Sequence, residues 1–538
     1  MKKYLLLLLI LSVMIGILSC QSKETGGTPT EAPTAAPVNT DPPVTVDPCA
    51  DGHDGEEWIM DVVPTKTEAG KKHQICKHCG ATTLEEVIPA TGSLGLAYAT
   101  HTDGETCTIT GRGSCTDTEL YIPQYINGYR VVKITSLPLS METTKVVIPA
   151  SVQIIGEEAF GQSIYLKAVA FEENSELLLV GKGAFFNCNK LTDIVLPAGT
   201  SYIDDYAFAE CSSLKTFTVP SGVKGIGKDA FRACTGLESF VVPENVVFLD
   251  TGVFSDCTNL KSVVLPTNLQ NIPAELFSRC LSLEEIRLPA QFQVIGKEAF
   301  RGCISLKEIS LPSGVIEIQE AAFMDCRGLS VMNLPSSVTK IGWKAFMGCT
   351  SLSMMIIPSS VTLIEESAFE NCKGLLAVMI PASVTRIGST AFANCIELVD
   401  VVILNPAVEM GENVFFACNK FDNLMAPIEV LDHIEVRKLR SLILVNGTVI
   451  PDGKFESCLG LEQLLLPGTV KEIGLGAFNN CVSLKEIYYA GDEAAWGQIT
   501  VKSMNTYFNK AKVYFYSETR PTAEGNYWHL VDGVPTPW

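Results

Sequence analysis

Eleven cysteines recur at an unvarying interval of 23 residues: Cys188, Cys211, Cys234, Cys257, Cys280, Cys303, Cys326, Cys349, Cys372, Cys395 and Cys418. After a gap of 40 residues, Cys458 and Cys481 resume the interval. This self-similarity confines the chain to a stacked array, because one coil cannot bury its own apolar face and needs neighbours to cover it. The unit reads C-x-x-L-x-x-h-x-L-P-x-x-V-x-x-I-G-x-x-A-F, as from Cys280 to Phe300, where Phe292 takes the valine slot. Counted by its phenylalanine, the array has fourteen units, from Phe160 to Phe478.

A period of about 20–29 residues is that of leucine-rich solenoids. Ile309 and Leu311 alternate with Glu308 and Ser310, the period-2 pattern of a strand, and Pro312 ends it. Ala299, Phe300, Cys303 and Leu306 fall on one face of an expected short helix. Phenylalanine in every unit predicts a continuous aromatic spine. The glycine slot also holds Asp204, Asp250, Pro273, Gln319, Glu365 and Pro451, so this turn does not demand a left-handed residue. Equivalent cysteines in a solenoid point in parallel, which suits small buried packing groups better than cross-links. The expected fold is an α/β repeat solenoid of short parallel strands and short helices. Its strand face would be about 65 Å long at about 4.8 Å per coil.

Lys2 and Lys3 precede an apolar run from Leu5 to Leu18 that ends in Ser19 and Cys20. At 1.5 Å per residue the run reaches about 21 Å, short of a bilayer core, so residues 1–19 read as an export signal. Ile17-Leu18-Ser19-Cys20 resembles a lipobox, in which Cys20 is lipidated; an ordinary signal peptide or an uncleaved anchor is the alternative. Residues 20–48, rich in Thr and Pro and without an aromatic residue, read as an extended linker. In residues 49–92, Cys49, His53, Cys76 and Cys79 form a C-x3-H…C-x2-C pattern that suits one structural zinc in a zinc-ribbon-like module. His73 and His78 are possible substitutes for His53, and a Cys76–Cys79 disulfide is the alternative to the metal.

The repeat string L-P…I-G-x-x-A-F-x-x-C closely resembles the BspA-like leucine-rich repeat of bacterial surface proteins. The resemblance covers residues 146–489. It extends to an N-terminal cap at 93–145, with Thr110-Gly111-Arg112-Gly113, and a C-terminal cap at 490–538, with Trp528-His529-Leu530-Val531-Asp532-Gly533. Residues 49–92 likewise resemble a small module of bacterial surface proteins, which brings no activity with it. Cys107 and Cys115 are either a disulfide or two buried thiols. The departure is at 419–457, where 40 residues replace 23 and Lys454 replaces the usual alanine, so a bulge or a change of curvature is expected there.

No H-E-x-x-H, G-x-S-x-G or G-x-G-x-x-G string occurs. Gly222 to Asp229 mimics a phosphate loop but lacks the final Ser or Thr, and it fills a slot that every unit fills. His433, alone in the solenoid, has no catalytic partner near it in sequence. With 40 Lys+Arg against 60 Asp+Glu, the formal charge of −20 disfavours nucleic acid. The outward strand positions, polar in most units, turn apolar at Val331, Met354, Ile356, Ala377, Met379 and Val402, followed by Met425. Adjacent strands would merge these into one patch for a protein ligand. The expected role is protein binding without catalysis by a lipid-anchored surface protein. The family resemblance implies adhesion to host or neighbouring-cell proteins; a structural protein of the envelope is the alternative.

Overall fold

Stacked coils with two hydrogen-bonded ladders make up most of the computed structural model, which describes residues 55–77, 79–522, 524–531 and 534–538. Residues 1–54, with Cys20, Cys49 and His53, lie outside the described residues, as does His78. Among the described residues, no helix is long and apolar enough to cross a membrane.

One ladder consists of two- to four-residue strands such as Glu308–Ser310, whose central Ile309 is buried and whose flanking side chains face outward. Every pairing along the array is parallel and advances by one unit, as in Glu308 with Val331 and Val331 with Met354. From Glu308–Ser310 this sheet runs unbroken through twelve strands to Val534–Pro537. The second ladder is made of two-residue strands such as Val294–Ile295. Between the ladders lies one continuous core of Leu, Ile, Val, Cys and Phe.

The expected short helix is absent. Ala299, Phe300, Cys303 and Leu306 are all buried as the pattern required, but they sit on a succession of tight turns. The physical cause is two left-handed residues, Glu298 (φ 53°) and Gly302 (φ 71°), which a right-handed helix cannot contain. The same two positions are left-handed in all fourteen units, from Glu158 and Gln162 to Gly476 and Asn480. Most are not glycine, at a cost of about 1 kcal/mol each. Hydrogen bonds between coils offset that strain: Glu298 N–H donates to Glu320 O at 2.9 Å, Phe300 to Ala322 at 2.8 Å and Gly302 to Met324 at 2.7 Å. The turns therefore form a third ladder, running coil to coil. The glycine slot serves close approach instead, since a Cβ on Gly296 would stand 2.5 Å from Ile272 O.

The phenylalanine rings stack at 5.1–6.2 Å from Phe160 to Phe415. This exceeds the roughly 4.8 Å between paired strands, so the strand face is the concave one. The spine is not continuous: it stops at Phe415 and resumes at Phe455, which stacks on Phe478 at 5.1 Å. The reason is an additional, abbreviated coil. Ser441–Leu444 enters the strand ladder between Asn423–Ala426 and Gln463–Leu466, only 18 residues after its neighbour. Two 3-10 turns, Ile428–His433 and Val436–Lys438, replace the phenylalanine turn in this coil.

Each repeat cysteine does more than fill space. Twelve of them donate S–H to the carbonyl of the preceding unit's phenylalanine at 3.0–3.3 Å. Cys458 uses Val436 O instead, at 3.5 Å. Burial pushes Cys188, Cys257 and Cys372 up to about 12. In the first unit Ser163 fills the slot, and its buried hydroxyl has no partner. Ser163→Ala should therefore stabilise the chain by about 1 kcal/mol, read from urea melts.

N-terminal to the array, Ala97–Thr100, Thr106–Gly111 and Tyr129–Ile134 continue one ladder, and Leu137 N–H reaches Ala159 O at 2.8 Å. Cys107 and Cys115 are two separate buried thiols. Farther out, β1 (Gly55–Val62), β2 (Gly70–Cys76) and β3 (Thr82–Ile88) form an antiparallel sheet of their own.

Candidate functional site

The strand register resolves the concave face into two outward rows. The first runs Glu308, Val331, Met354, Ala377, Asp400, Asn423, Ser441, Gln463 and Glu486. The second runs Asn333, Ile356, Met379, Val402, Met425, Ile443, Leu465, Tyr488 and Tyr514. The candidate residues divide between them. Val331 is 51% exposed, and Met354, Ile356 and Met379 are half-buried. Ala377 is only 2% exposed and Val402 9%, because their short side chains lie below the longer neighbours on either side. Those two shape the floor of the patch, and the methionines carry its contact surface.

The second row stays apolar far beyond the residues read from the sequence. Met425, Ile443 and Leu465 lead into Tyr488 and Tyr514, stacked at 5.2 Å, and Trp528 stands edge-on to Tyr488 at 5.8 Å. Ile443 and Leu465 were not legible because the abbreviated coil shifts the register by five residues, which the 23-residue period hides. The first row turns polar at the same point. Asn423 donates to Asp400 at 2.6 Å, and Glu486 accepts from Gln463 at 2.9 Å and from Tyr488 at 3.0 Å. Apolar and acidic stripes thus run side by side. Where Pro535, Thr536 and Pro537 rise over them they enclose a cavity of about 380 Å³.

Chemistry is not concentrated here. His433 lies on the 3-10 turn Ile428–His433, away from this face, and the Asp400 and Glu486 carboxylates of the first row are held in hydrogen bonds. The repeat thiols are buried. In the N-terminal sheet, Cys76 is buried at the end of β2 and Cys79 is exposed on the turn that follows, where Gly80 N–H closes onto Cys76 O at 2.9 Å. His73 lies 2.8 Å from the Asp61 carboxylate. Among the described residues, no group of three or more His, Cys, Asp or Glu side chains could hold a metal ion.

Comparison with known proteins agrees with this architecture. The family model for the BspA type leucine rich repeat region matches residues 139–261, 178–307, 225–352, 293–422 and 448–491, more than half of the chain. A leucine-rich repeat protein from Bacteroides ovatus is 22% identical with a TM-score of 0.52, over 78% of this chain and 98% of its own. A leucine rich cell surface protein from Faecalibacterium prausnitzii is 22% identical with a TM-score of 0.32, over 77% and 97%. The T. pallidum leucine rich repeat protein is 27% identical with a TM-score of 0.29, over 39% and 88%. No curated protein matches. Leucine-rich repeat proteins are generally binding scaffolds without catalysis, and the repeat period, the phenylalanine turn and the family match make this chain a member of the BspA-type leucine-rich repeat family.

Proposed function

We propose that this chain is a lipid-anchored, surface-displayed protein that binds a protein ligand through its concave face and acts as an adhesin for host or neighbouring-cell proteins. The observation that carries the reading is the apolar row of Ile356, Met379, Met425, Ile443 and Leu465, half-buried on the concave face up to the point where Trp528 covers Tyr488 and Tyr514. Monomeric proteins rarely leave a long apolar stripe uncovered unless a partner uses it, and methionine adapts its shape to a ligand. The basic-then-apolar leader ending at Cys20 supports the lipid anchor, and a lifted position at the surface fits the linker at 20–48. Cys49, His53, Cys76 and Cys79 would hold one structural zinc, supported by the tight turn that carries the last two.

The test is Met354→Asp combined with Met379→Asp. Both side chains are half-buried and outward, so the double variant should melt within about 1 °C of the parent, and its affinity for protein-coated surfaces or cells should fall at least about 30-fold, or about 2 kcal/mol. Unchanged affinity with normal melting would exclude the concave face as the binding surface. Self-association as the sole interaction would favour an envelope scaffold.

A further inference from the structure

Inside the array, between its first and last units, the ladder of turn hydrogen bonds has one open rung among the described residues. In units one to eleven and in unit thirteen, the two left-handed residues and the phenylalanine between them all donate N–H to the next coil. In unit twelve the equivalent N–H groups, on Asn413, Phe415 and Ala417, meet no acceptor among the described residues. Facing them across the abbreviated coil, the carbonyls of Asp452, Lys454 and Glu456 accept nothing from the described residues either. The layer between holds the 3-10 turns, which present no carbonyl in the ladder's register, and Lys454 reaches into it to pair with Asp432. A cleft of about 140 Å³ separates the unit-twelve turn from His433, Glu435 and Lys438. The Phe415 ring is only half-buried there, although its counterparts in the other units are fully covered, and Phe416 beside it is 62% exposed.

The chain itself shows what fits such a rung. After the last unit, Gly476 N–H donates to Ser503 O at 2.9 Å and Phe478 N–H to the Asn505 side-chain oxygen at 2.8 Å. The Phe508 ring then stacks on Phe478 at 4.9 Å. One short segment supplies two acceptors and an aromatic ring three residues later, and continues both ladder and spine.

We propose that the break after unit twelve is a second docking site, separate from the concave face, that takes a main-chain segment of a partner protein with the same chemistry: carbonyl acceptors in ladder register followed by an aromatic side chain. Three donors at alternate residues call for several acceptors in a row, which a turn-forming polypeptide segment supplies, as residues 503–508 do, and a point anion does not. The Phe415 face and Phe416 receive the ring.

The test uses the full chain and a synthetic peptide with the sequence of residues 501–511. Hydrogen exchange read by mass spectrometry should show amides 413–417 exchanging at least 100-fold faster than the equivalent amides 390–394 in the free chain. Millimolar peptide should slow them at least 10-fold. Peptides with alanine in place of the asparagine or of the phenylalanine should lose that effect. Phe416→Asp should weaken binding about 10-fold with 390–394 unchanged, and the Met354→Asp, Met379→Asp variant should bind the peptide as the parent does. The proposal is overturned if amides 413–417 are already as protected as 390–394, if millimolar peptide leaves them unchanged, or if a scrambled peptide protects them equally.

Discussion

Truncating Phe323 to alanine should destabilise the array by about 3–5 kcal/mol, while the same change at Phe415 should cost about 1–2 kcal/mol. Phe323 is fully buried and stacks on both sides, on Phe300 at 5.2 Å and on Phe346 at 5.3 Å. Its loss opens a cavity that neighbouring coils, held by three ladders, cannot collapse to fill. Phe415 stacks on Phe392 at 5.5 Å and meets only the tilted Phe421 ring on its other side, at 5.4 Å. It has less buried area to lose and a solvent-accessible cleft to lose it into. Urea melts followed by circular dichroism measure both. Equal costs would mean that the abbreviated coil restores the packing that its missing phenylalanine removes.

The second large effect is alkaline instability. Unfolded thiols ionise near about 8.5, whereas burial holds the folded Cys188, Cys257 and Cys372 at about 12. Cys211, Cys234, Cys280, Cys303 and Cys349 are raised by burial in the same way. A raised folded value means that the native state holds protons which the unfolded chain releases. The stabilisation is complete below about pH 8.5 and declines as pH rises toward the folded values, by about 1.4 kcal/mol per pH unit for each such thiol. Because many thiols act together, the melting temperature in reductant should fall by more than about 10 °C between pH 8 and pH 10. Replacing Cys257, Cys280 and Cys303 by alanine should make that decline shallower while lowering stability at pH 7.5. A flat profile in the parent would show that the thiols are not sealed in the core.

The thiols also mark where sequence reading stops. Their interval fixes the stacking, the register and the inward face, because a 23-residue period leaves only one way for Phe, Cys and Leu to share a core. The interval does not reveal that the S–H groups bond to phenylalanine carbonyls, since that depends on the turn that precedes each cysteine. The same turn explains the misread helix. Ala299, Phe300, Cys303 and Leu306 have helical spacing, but Glu298 and Gly302 adopt left-handed backbone for the sake of bonds to the next coil, and no local preference of glutamate announces this. At 419–457 the sequence shows an irregularity without its form: the 40 residues are two coils of unequal length, and only strand pairing shows that Ile443 and Leu465 join the row of Met379 and Met425. The outward methionines were legible because alternation along a strand is local. The extent of the stripe was not, because it is a property of neighbouring strands.

Which surface a ligand covers decides whether the concave face is the binding site, and the methionines report that surface directly. Met354, Met379 and Met425 stand half-buried on the concave rows, Met332 and Met355 are sealed beneath them, and Met141 and Met504 are 76% and 57% exposed elsewhere. Oxidation footprinting of the chain bound at saturation to protein-coated surfaces or cells should slow modification of Met354, Met379 and Met425 at least about 5-fold, with Met141 and Met504 unchanged. Protection at Met141 or Met504 with the concave methionines reacting as in the free chain would contradict it.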